Sequence, residues 1–238
     1  MMKCKLCKRE RELRNSHIIP EFLYKTLYDD RHRFYAISTD KEVKTEFLQK
    51  GIREKLLCED CEQLLSKYER YASLVLNGGF ELEAILDPPL VHYKNFKYKE
   101  FKLFALSILW RAGVAENDNF ARVKLGPHEN RIRELLLNEV TVEEHAYPFV
   151  LMPLMHNGEI VESLIAPPEK TKVGNQHAYF FVFGGLAWVF IVSSHMAPKD
   201  VLDASISKAG QLTMLPTQIK DMKHLVSYAR QFVALGKV

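Results

Sequence analysis

Four cysteines carry the clearest chemical pattern in this sequence, and they occur as two Cys-x-x-Cys pairs. The first pair is Cys4 and Cys7, and the second is Cys58 and Cys61. Two such pairs can supply four thiolates to one tetrahedral zinc ion. The alternative is two separate redox-active or buried pairs, but disulfides are rare inside cells and the sequence contains no other cysteine. The spacing therefore predicts one structural zinc site shared by both pairs.

The segment between the two pairs is longer than the linker of a simple zinc ribbon, so we expect functional residues within it. It contains the run Asn-Ser-His-Ile-Ile-Pro, in which the histidine is His17. A single histidine beside apolar residues is more often a satisfied core residue than a base. A shared zinc ion, however, would bring the helix that follows Cys61 against the strand that ends at His17. We expect Glu62 to face the same pocket as His17.

Together these motifs resemble the HNH endonuclease family, also called the ββα-metal or His-Me finger nucleases. The resemblance rests on the first cysteine pair, on Ser-His-Ile-Ile-Pro at residues 16–20, and on the second pair preceded by two leucines. It covers about residues 4–72, less than a third of the chain.

The resemblance implies a division of labour among these residues. The four cysteines would hold the structural zinc, and His17 would be the general base that activates a water molecule. A second divalent ion, Mg²⁺ or Mn²⁺, would hold the scissile phosphate. The positions of its usual ligands are occupied by Ser16, just before the histidine, and by Glu62, just after the last cysteine. Glu62 suits a hard cation, Ser16 is a weak ligand, and Arg53 stands about where the family has an asparagine.

The sequence thus predicts a metal-dependent endonuclease that hydrolyses phosphodiester bonds of DNA, with His17, Glu62 and Ser16 as catalytic residues. By analogy, a role in restriction or phage defence is expected. The alternative, which the unusual ligand positions motivate, is a non-catalytic, zinc-containing protein that binds nucleic acid or acts as a scaffold. Three further acids are either compensating carboxylates or solvated surface residues: Glu54, Asp60 and Glu69.

The charge distribution is compatible with DNA or another nucleic acid as the partner. The net charge is only +3, and the excess of basic residues lies within the first 75 positions. Basic residues outnumber acidic ones in residues 1–20, where they are Lys3, Lys5, Lys8, Arg9, Arg11 and Arg14. Such a cluster suits a phosphate backbone, although a solvated charged turn is the simpler interpretation.

Hydrophobic periodicity predicts the elements that must position these residues. Helices are expected at residues 20–28, 59–76, 101–114, 127–139 and 219–235. Strands are expected at residues 33–37, 43–47, 147–155, 159–165, 177–183 and 186–192. Arg111, near the end of the buried helix at residues 101–114, is either a phosphate contact or a cap of that helix whose charged end extends to the surface, and we expect the cap. We expect Val233 to face inward from the last helix.

The predicted fold class is α+β. We expect a zinc-stapled ββα-metal module at residues 1–76 and an α+β domain of unknown role at residues 77–238. The second domain would contain the middle helices, then an antiparallel sheet and a C-terminal helix. The boundary follows from the Gly and Pro residues between positions 77 and 89.

Composition excludes several classes of protein. Hydrophobic residues make up 47% and charged residues 26% of the chain, which is typical of a globular protein and excludes disordered, collagen-like and coiled-coil chains. The longest apolar run, residues 178–194, is interrupted by two glycines and predicts a hairpin rather than a membrane span. The charged N-terminal stretch lacks a signal peptide pattern. We expect a soluble, cytoplasmic protein without a membrane partner, whose oligomeric state the sequence does not indicate.

Overall fold

The computed structural model describes residues 2–38 and 40–237, and its first part surrounds the two cysteine pairs. The elements of this part, in chain order, are β1 (Met2–Lys3), β2 (Glu10–Arg11), β3 (Leu13–His17), a 3-10 helix (Glu21–Leu27), β4 (Phe34–Ala36), β5 (Glu46–Leu48), β6 (Arg53–Cys58) and α1 (Glu59–Leu76). The predicted helix at 59–76 is confirmed, and the predicted helix at 20–28 is present as the 3-10 helix. The two expected strands flanking residue 40 pair as the β4–β5 hairpin.

Strands β3 and β6 form an antiparallel pair that leads directly into α1. Leu13 lies opposite Cys58, and His17 lies opposite Arg53. The register shifts between Leu13 and Asn15, so that Leu13 and Ser16 both point inward although they are three positions apart. The end of β3 and the start of α1 are thereby held beside the cysteine pairs.

Helix α2 (Tyr98–Val114) lies in the interior and packs against α1 and α3 (Pro127–Leu137). Apolar side chains surround nearly the whole helix, as expected for a helix that is covered on all sides. Gly113 allows a close approach at its C-terminal end, because a Cβ atom there would lie 2.4 Å from Leu125 Cδ1. The structure thus confirms the buried helix predicted from the sequence.

The remaining strands form a mixed sheet. They are β7 (Glu83–Asp87), β8 (Leu90–Lys94), β9 (Phe149–His156), β10 (Glu159–Ile160), β11 (Ala166–Val173), β12 (Gln176–Phe183), β13 (Leu186–Ile191), β14 (Leu212–Met214) and β15 (Thr217–Gln218). The spatial order along the main path is β11, β12, β13, β9, β14, β8, β7, and β10 and β15 also pair with β9.

The expectation of an antiparallel sheet is wrong for part of this assembly. Strands β14 and β15 pair with β9 in parallel, while the hairpins β11–β12 and β12–β13 are antiparallel. Short turns force neighbouring strands to be antiparallel, whereas β14 and β15 reach β9 from a distant part of the chain. The β7–β8 hairpin, which sequence reasoning left in the linker, forms the far edge of the sheet.

Two short helices complete the chain, α4 (Lys199–Ala204) and α5 (Lys223–Ala234). Helix α5 begins later than predicted, after a short 3-10 turn. Leu225 is buried, but Val233 is 65% exposed, so the expectation that it faces inward is wrong. The apolar face of α5 is therefore only partly covered.

One cluster of buried side chains extends from Leu6 and Leu57 through Phe104 to Trp188. Residues on both sides of position 76 therefore contribute to the same core, and the division at that position stays a prediction. Within residues 2–38 and 40–237, no helix combines the length and the hydropathy needed to cross a bilayer.

Candidate functional site

The two cysteine pairs meet at one place. The Sγ atoms of Cys4, Cys7, Cys58 and Cys61 lie within 4.8 Å of one another, and only Cys7 is not fully buried. The expected convergence is confirmed, and the cluster could hold a metal ion such as zinc. In the part of the chain that the structure describes, no other group of three His, Cys, Asp or Glu residues brings its ligand atoms together in this way.

Backbone geometry shapes both pairs. Lys8 has a φ of 61°, and its N–H donates to the carbonyl oxygen of Cys4 at 2.9 Å, which closes a tight turn around the first pair. In the second pair, Cys58 ends β6 and Cys61 lies in the first turn of α1. The strand-to-helix junction thereby directs two thiols toward the turn that carries the other two.

Hydrogen bonds among the thiols favour a charged sulfur. The bond from the Cys61 thiol lowers the pKa of Cys4 to about 4, and the backbone N–H of Cys58, 3.4 Å from Cys4 Sγ, acts in the same direction. The same contact raises the pKa of Cys61, and burial adds to that effect. A cation would replace the shared protons, and four thiolates in a closed, buried site fit structural Zn²⁺.

His17 is the last residue of β3, and its ring faces Glu21 on the 3-10 helix. Nε2 lies 2.8 Å from Glu21 Oε2, but the angles are not those of a hydrogen bond, and Nε2 has no other hydrogen-bond partner among the described residues. The side chain is 27% exposed. His17 is therefore not a satisfied core histidine, because its buried Nε2 lacks a hydrogen bond and another part of the ring is open to solvent.

Burial lowers the pKa of His17 below its ordinary value. The charge of Glu21 opposes this shift, Arg53 and Arg111 add to it, and Glu69 opposes it. The net direction is downward, so the imidazole is neutral near pH 7. A neutral imidazole that solvent can reach is able to accept a proton.

Ser16 and Glu62 lie on the buried side of the strand pair. Ser16 Oγ accepts a hydrogen bond from the backbone N–H of Leu57 at 3.1 Å. Glu62 Oε1 is buried, and no described residue hydrogen-bonds it. Burial raises the pKa of Glu62, while the neighbouring Ser16 hydroxyl and the charge of Arg111 favour its ionised form. Glu62 is thus a half-buried residue whose Oε1 is buried and has no hydrogen-bond partner among the described residues.

A fully buried arginine of α2 connects these elements. Arg111 Nη1 donates to the carbonyl oxygen of His17 at 2.9 Å. Its Nη2 donates to Glu69 Oε1 at 2.6 Å and to Ser107 Oγ at 3.0 Å. The expectation that Arg111 reaches the surface is wrong, because its partners lie in the interior. The contact fixes the main chain of His17 relative to α1 and α2.

The other acids singled out from the sequence have different roles. Glu54 accepts hydrogen bonds from the backbone N–H groups of Glu116 and Asn117 at 2.9 and 2.6 Å, and so anchors a loop. Asp60 is exposed on α1. Of the three, Glu69 is the one that joins the network around His17.

Sequence reasoning missed Glu21. Its Oε2 accepts a hydrogen bond from the backbone N–H of Gly51 at 3.3 Å, and the Tyr28 hydroxyl donates to its Oε1. These contacts hold the carboxylate beside the His17 ring. The sequence carried only a weak signal, because His17 ends a strand and Glu21 begins the 3-10 helix after Pro20, so that the short connection between them decides their contact.

Comparison of this chain with known proteins gives no match: no family model matches it, and neither a curated protein nor a solved structure is significantly similar. What the site does must therefore be inferred from its own residues.

Proposed function

We propose that this chain is an HNH-like endonuclease that hydrolyses phosphodiester bonds of DNA, with His17 as the general base. The observation that carries the proposal is the position of this histidine. Its neutral, solvent-accessible ring ends a strand whose partner, β6, runs directly into the four-cysteine cluster and α1. Two strands and a helix around a zinc site are the arrangement that the resemblance implies, here with the β4–β5 hairpin inserted between the strands.

In the proposed step, His17 takes a proton from a water molecule. Because Nε2 faces Glu21, Nδ1 is the nitrogen left to accept that proton. The water oxygen forms a bond to phosphorus, the bond from phosphorus to the leaving oxygen breaks, and the leaving oxygen takes a proton from solvent. Glu21 favours the imidazolium that forms, since its charge raises the pKa of His17.

Arg53 is the residue that we expect to contact the phosphate. It lies opposite His17 in the strand pair, is half-buried, and forms no ion pair with any described residue. Beside the same strands, a groove of about 600 Å³ is lined by Lys3, Lys5 and Lys55 and also by Glu54 and Glu116, the last of which pairs with Lys5. Lys3 and Lys55 form no ion pair with a described residue and are the groove's basic side chains that suit a nucleic-acid backbone.

A divalent ion, Mg²⁺ or Mn²⁺, belongs to this proposal. Glu62 is the residue that would hold it, because its buried Oε1 lacks a hydrogen-bond partner among the described residues. When bound, the ion would stabilise negative charge on the phosphate. We assign Ser16 a positioning role, since its hydroxyl is buried and already accepts a hydrogen bond from Leu57.

Cleavage of supercoiled plasmid by the His17→Ala variant tests the proposal. With Mg²⁺ or Mn²⁺ present, we expect the cleavage rate to fall by about 100-fold or more, with zinc content unchanged. His156→Ala is the matched control, because His156 is exposed at the end of β9. Equal nicking by wild type and His17→Ala, at equal zinc content, would contradict the proposal.

A second candidate function is non-catalytic binding of nucleic acid. It is favoured by Arg111, whose buried guanidinium already pairs with Glu69, so that this carboxylate is not left free to attract a divalent ion. This function predicts salt-sensitive binding of DNA without cleavage under either ion.

A further inference from the structure

The β4–β5 hairpin has an aromatic outer face. Tyr35 and Phe47 are cross-strand partners, their ring centroids lie 4.0 Å apart, and they are 63% and 42% exposed. The two rings are tilted by 41°, and the Arg33 guanidinium carbon lies 4.1 Å from the centroid of the Phe47 ring. The three side chains therefore form an aromatic cluster that contains one cation and is open to solvent at Tyr35.

The inner face of the same hairpin supplies its packing. Phe34 is buried, and its ring centroid lies 5.4 Å from Tyr24 and 5.7 Å from Tyr28. Asp29 holds Arg33 in place, with Nη2 at 2.8 Å and Nε at 3.1 Å from Oδ2. The buried packing of the hairpin therefore comes from Phe34, and the outer aromatic side chains are free to contact a ligand.

The hairpin segment, residues 31–50, carries exposed basic side chains. Four of them form no ion pair within the described residues: Arg31, Lys41, Lys44 and Lys50. The segment contains three acidic residues, Asp40, Glu42 and Glu46, and Asp29 and Asp30 directly precede it. An open aromatic face on a segment that carries exposed cations is complementary to a base and its phosphates.

We propose that the hairpin binds single-stranded nucleic acid by stacking an unpaired nucleobase on Tyr35. Stacking requires only a π face, so the contact accepts any base, and the surrounding lysines and Arg31 attract the backbone. The substrate class rests on the proposed nuclease function. The hairpin is also close to that site, because Tyr28 contacts Phe34 and donates a hydrogen bond to Glu21, which faces His17.

Fluorescence anisotropy with labelled oligo-dT, oligo-U and a DNA duplex tests this binding in the full chain carrying His17→Ala, which prevents cleavage. We expect Tyr35→Ala to weaken binding of single strands roughly tenfold and to change duplex binding little. Tyr35→Trp should keep the affinity, and Tyr35→Leu should lose it, because leucine is apolar but has no π face. Leu86→Ala is the control, since Leu86 is 75% exposed on β7.

A base analogue gives a direct signature of stacking. Fluorescence of 2-aminopurine within the oligonucleotide should be quenched by the wild-type chain and by Tyr35→Trp, but not by Tyr35→Leu. Wild-type affinity in Tyr35→Leu would overturn the proposal and indicate an apolar contact such as a protein partner would use. Unchanged affinity in Tyr35→Ala, or no binding by the wild-type chain at low salt, would also overturn it.

The outcomes separate this proposal from the nuclease proposal. Tyr35-dependent binding of single strands without any cleavage by the wild-type chain would support the stacking surface and contradict catalysis. Cleavage that depends on His17, together with single-strand binding that is indifferent to Tyr35, would support catalysis and overturn the stacking surface. Comparison of oligo-dT with oligo-U shows whether the nucleobases come from DNA or RNA.

Discussion

The region around the cysteines and the large sheet bury different kinds of side chain. In the sheet, Phe149, Phe181, Trp188 and Phe190 are fully buried, and the rings of Phe149 and Trp188 lie 5.7 Å apart. Around the cysteines, the strands are short, and thiols, a serine hydroxyl and carboxylates lie close to the core. The sheet is therefore stabilised mainly by apolar burial, while the region around the cysteines combines apolar burial, as at Leu6, Ile18 and Leu57, with specific polar partners.

Helix α2 lies between the sheet and the region around the cysteines, and it directs one buried basic side chain toward each. Arg111 extends toward the polar side, where it finds the carbonyl of His17 and the carboxylate of Glu69. Lys102 extends toward the sheet, where its Nζ donates to the carbonyl oxygen of Tyr147 at 3.0 Å and lies 5.5 Å from the Phe149 ring. A buried charge with a carboxylate partner is compensated, and one with a single carbonyl is compensated only in part.

Removal of the metal should produce the largest difference between the two regions. If the four cysteines hold zinc, a chelator should unfold residues 2–76, because structural zinc contributes on the order of 10 kcal/mol to small modules. Hydrogen exchange followed by mass spectrometry should show lost protection in β3, β6 and α1 and retained protection in β12 and β13. Cys58→Ser should have the same effect without chelator. Uniform loss of protection, or none, would contradict this difference between the regions.

Arg111→Met should have the next largest effect. The variant leaves the carboxylate of Glu69 and the carbonyl of His17 without their buried partner, so we expect the free energy of unfolding to fall by about 3–5 kcal/mol. Chemical denaturation measures this change. Arg70→Met is the matched control, because Arg70 is exposed on α1 and should change stability by less than about 0.5 kcal/mol. Equal effects of the two variants would show that the buried pair does not stabilise the fold.

The same two regions differ in how far the sequence predicts them. The helix at 59–76 was predictable because Leu65, Tyr68 and Ala72 recur at helical spacing, and the convergence of the cysteines was predictable from two identical short spacings. The contact between Arg111 and the His17 carbonyl was not, because it joins residues 94 positions apart and depends on how α2 packs. The parallel pairing of β14 with β9 is likewise a tertiary outcome, since a three-residue strand carries no signal of its partner.

Lys102→Met should stabilise the protein, in contrast to Arg111→Met. Burial lowers the pKa of Lys102 to about 7 from the ordinary value of 10.5. The unfolded chain therefore binds this proton more tightly, so stability is lost as the pH falls from about 10.5 to about 7. The methionine variant should be more stable near pH 7 by on the order of 3 kcal/mol and should lose that dependence on pH.

Thermal unfolding across this pH range, with Lys124→Met as the exposed control, measures the difference. A Lys102→Met variant that is less stable than wild type at pH 7 would mean that the hydrogen bond to Tyr147 outweighs the cost of burying the charge.

Glu21→Gln should have the smallest effect, and it concerns the polar region alone. The Glu21 carboxylate raises the pKa of His17 against the larger effect of burial, so its removal should lower that pKa further. A general base must be deprotonated, and activity is lost as the pH falls through its pKa. The acid limb of the cleavage profile should therefore move to lower pH in Glu21→Gln. Glu162→Gln, an acidic residue exposed outside the site, should leave the limb unchanged. A limb that stays in place while the maximal rate falls would instead show that Glu21 only orients the ring, and that the charge beside Nε2 does not set the protonation of His17.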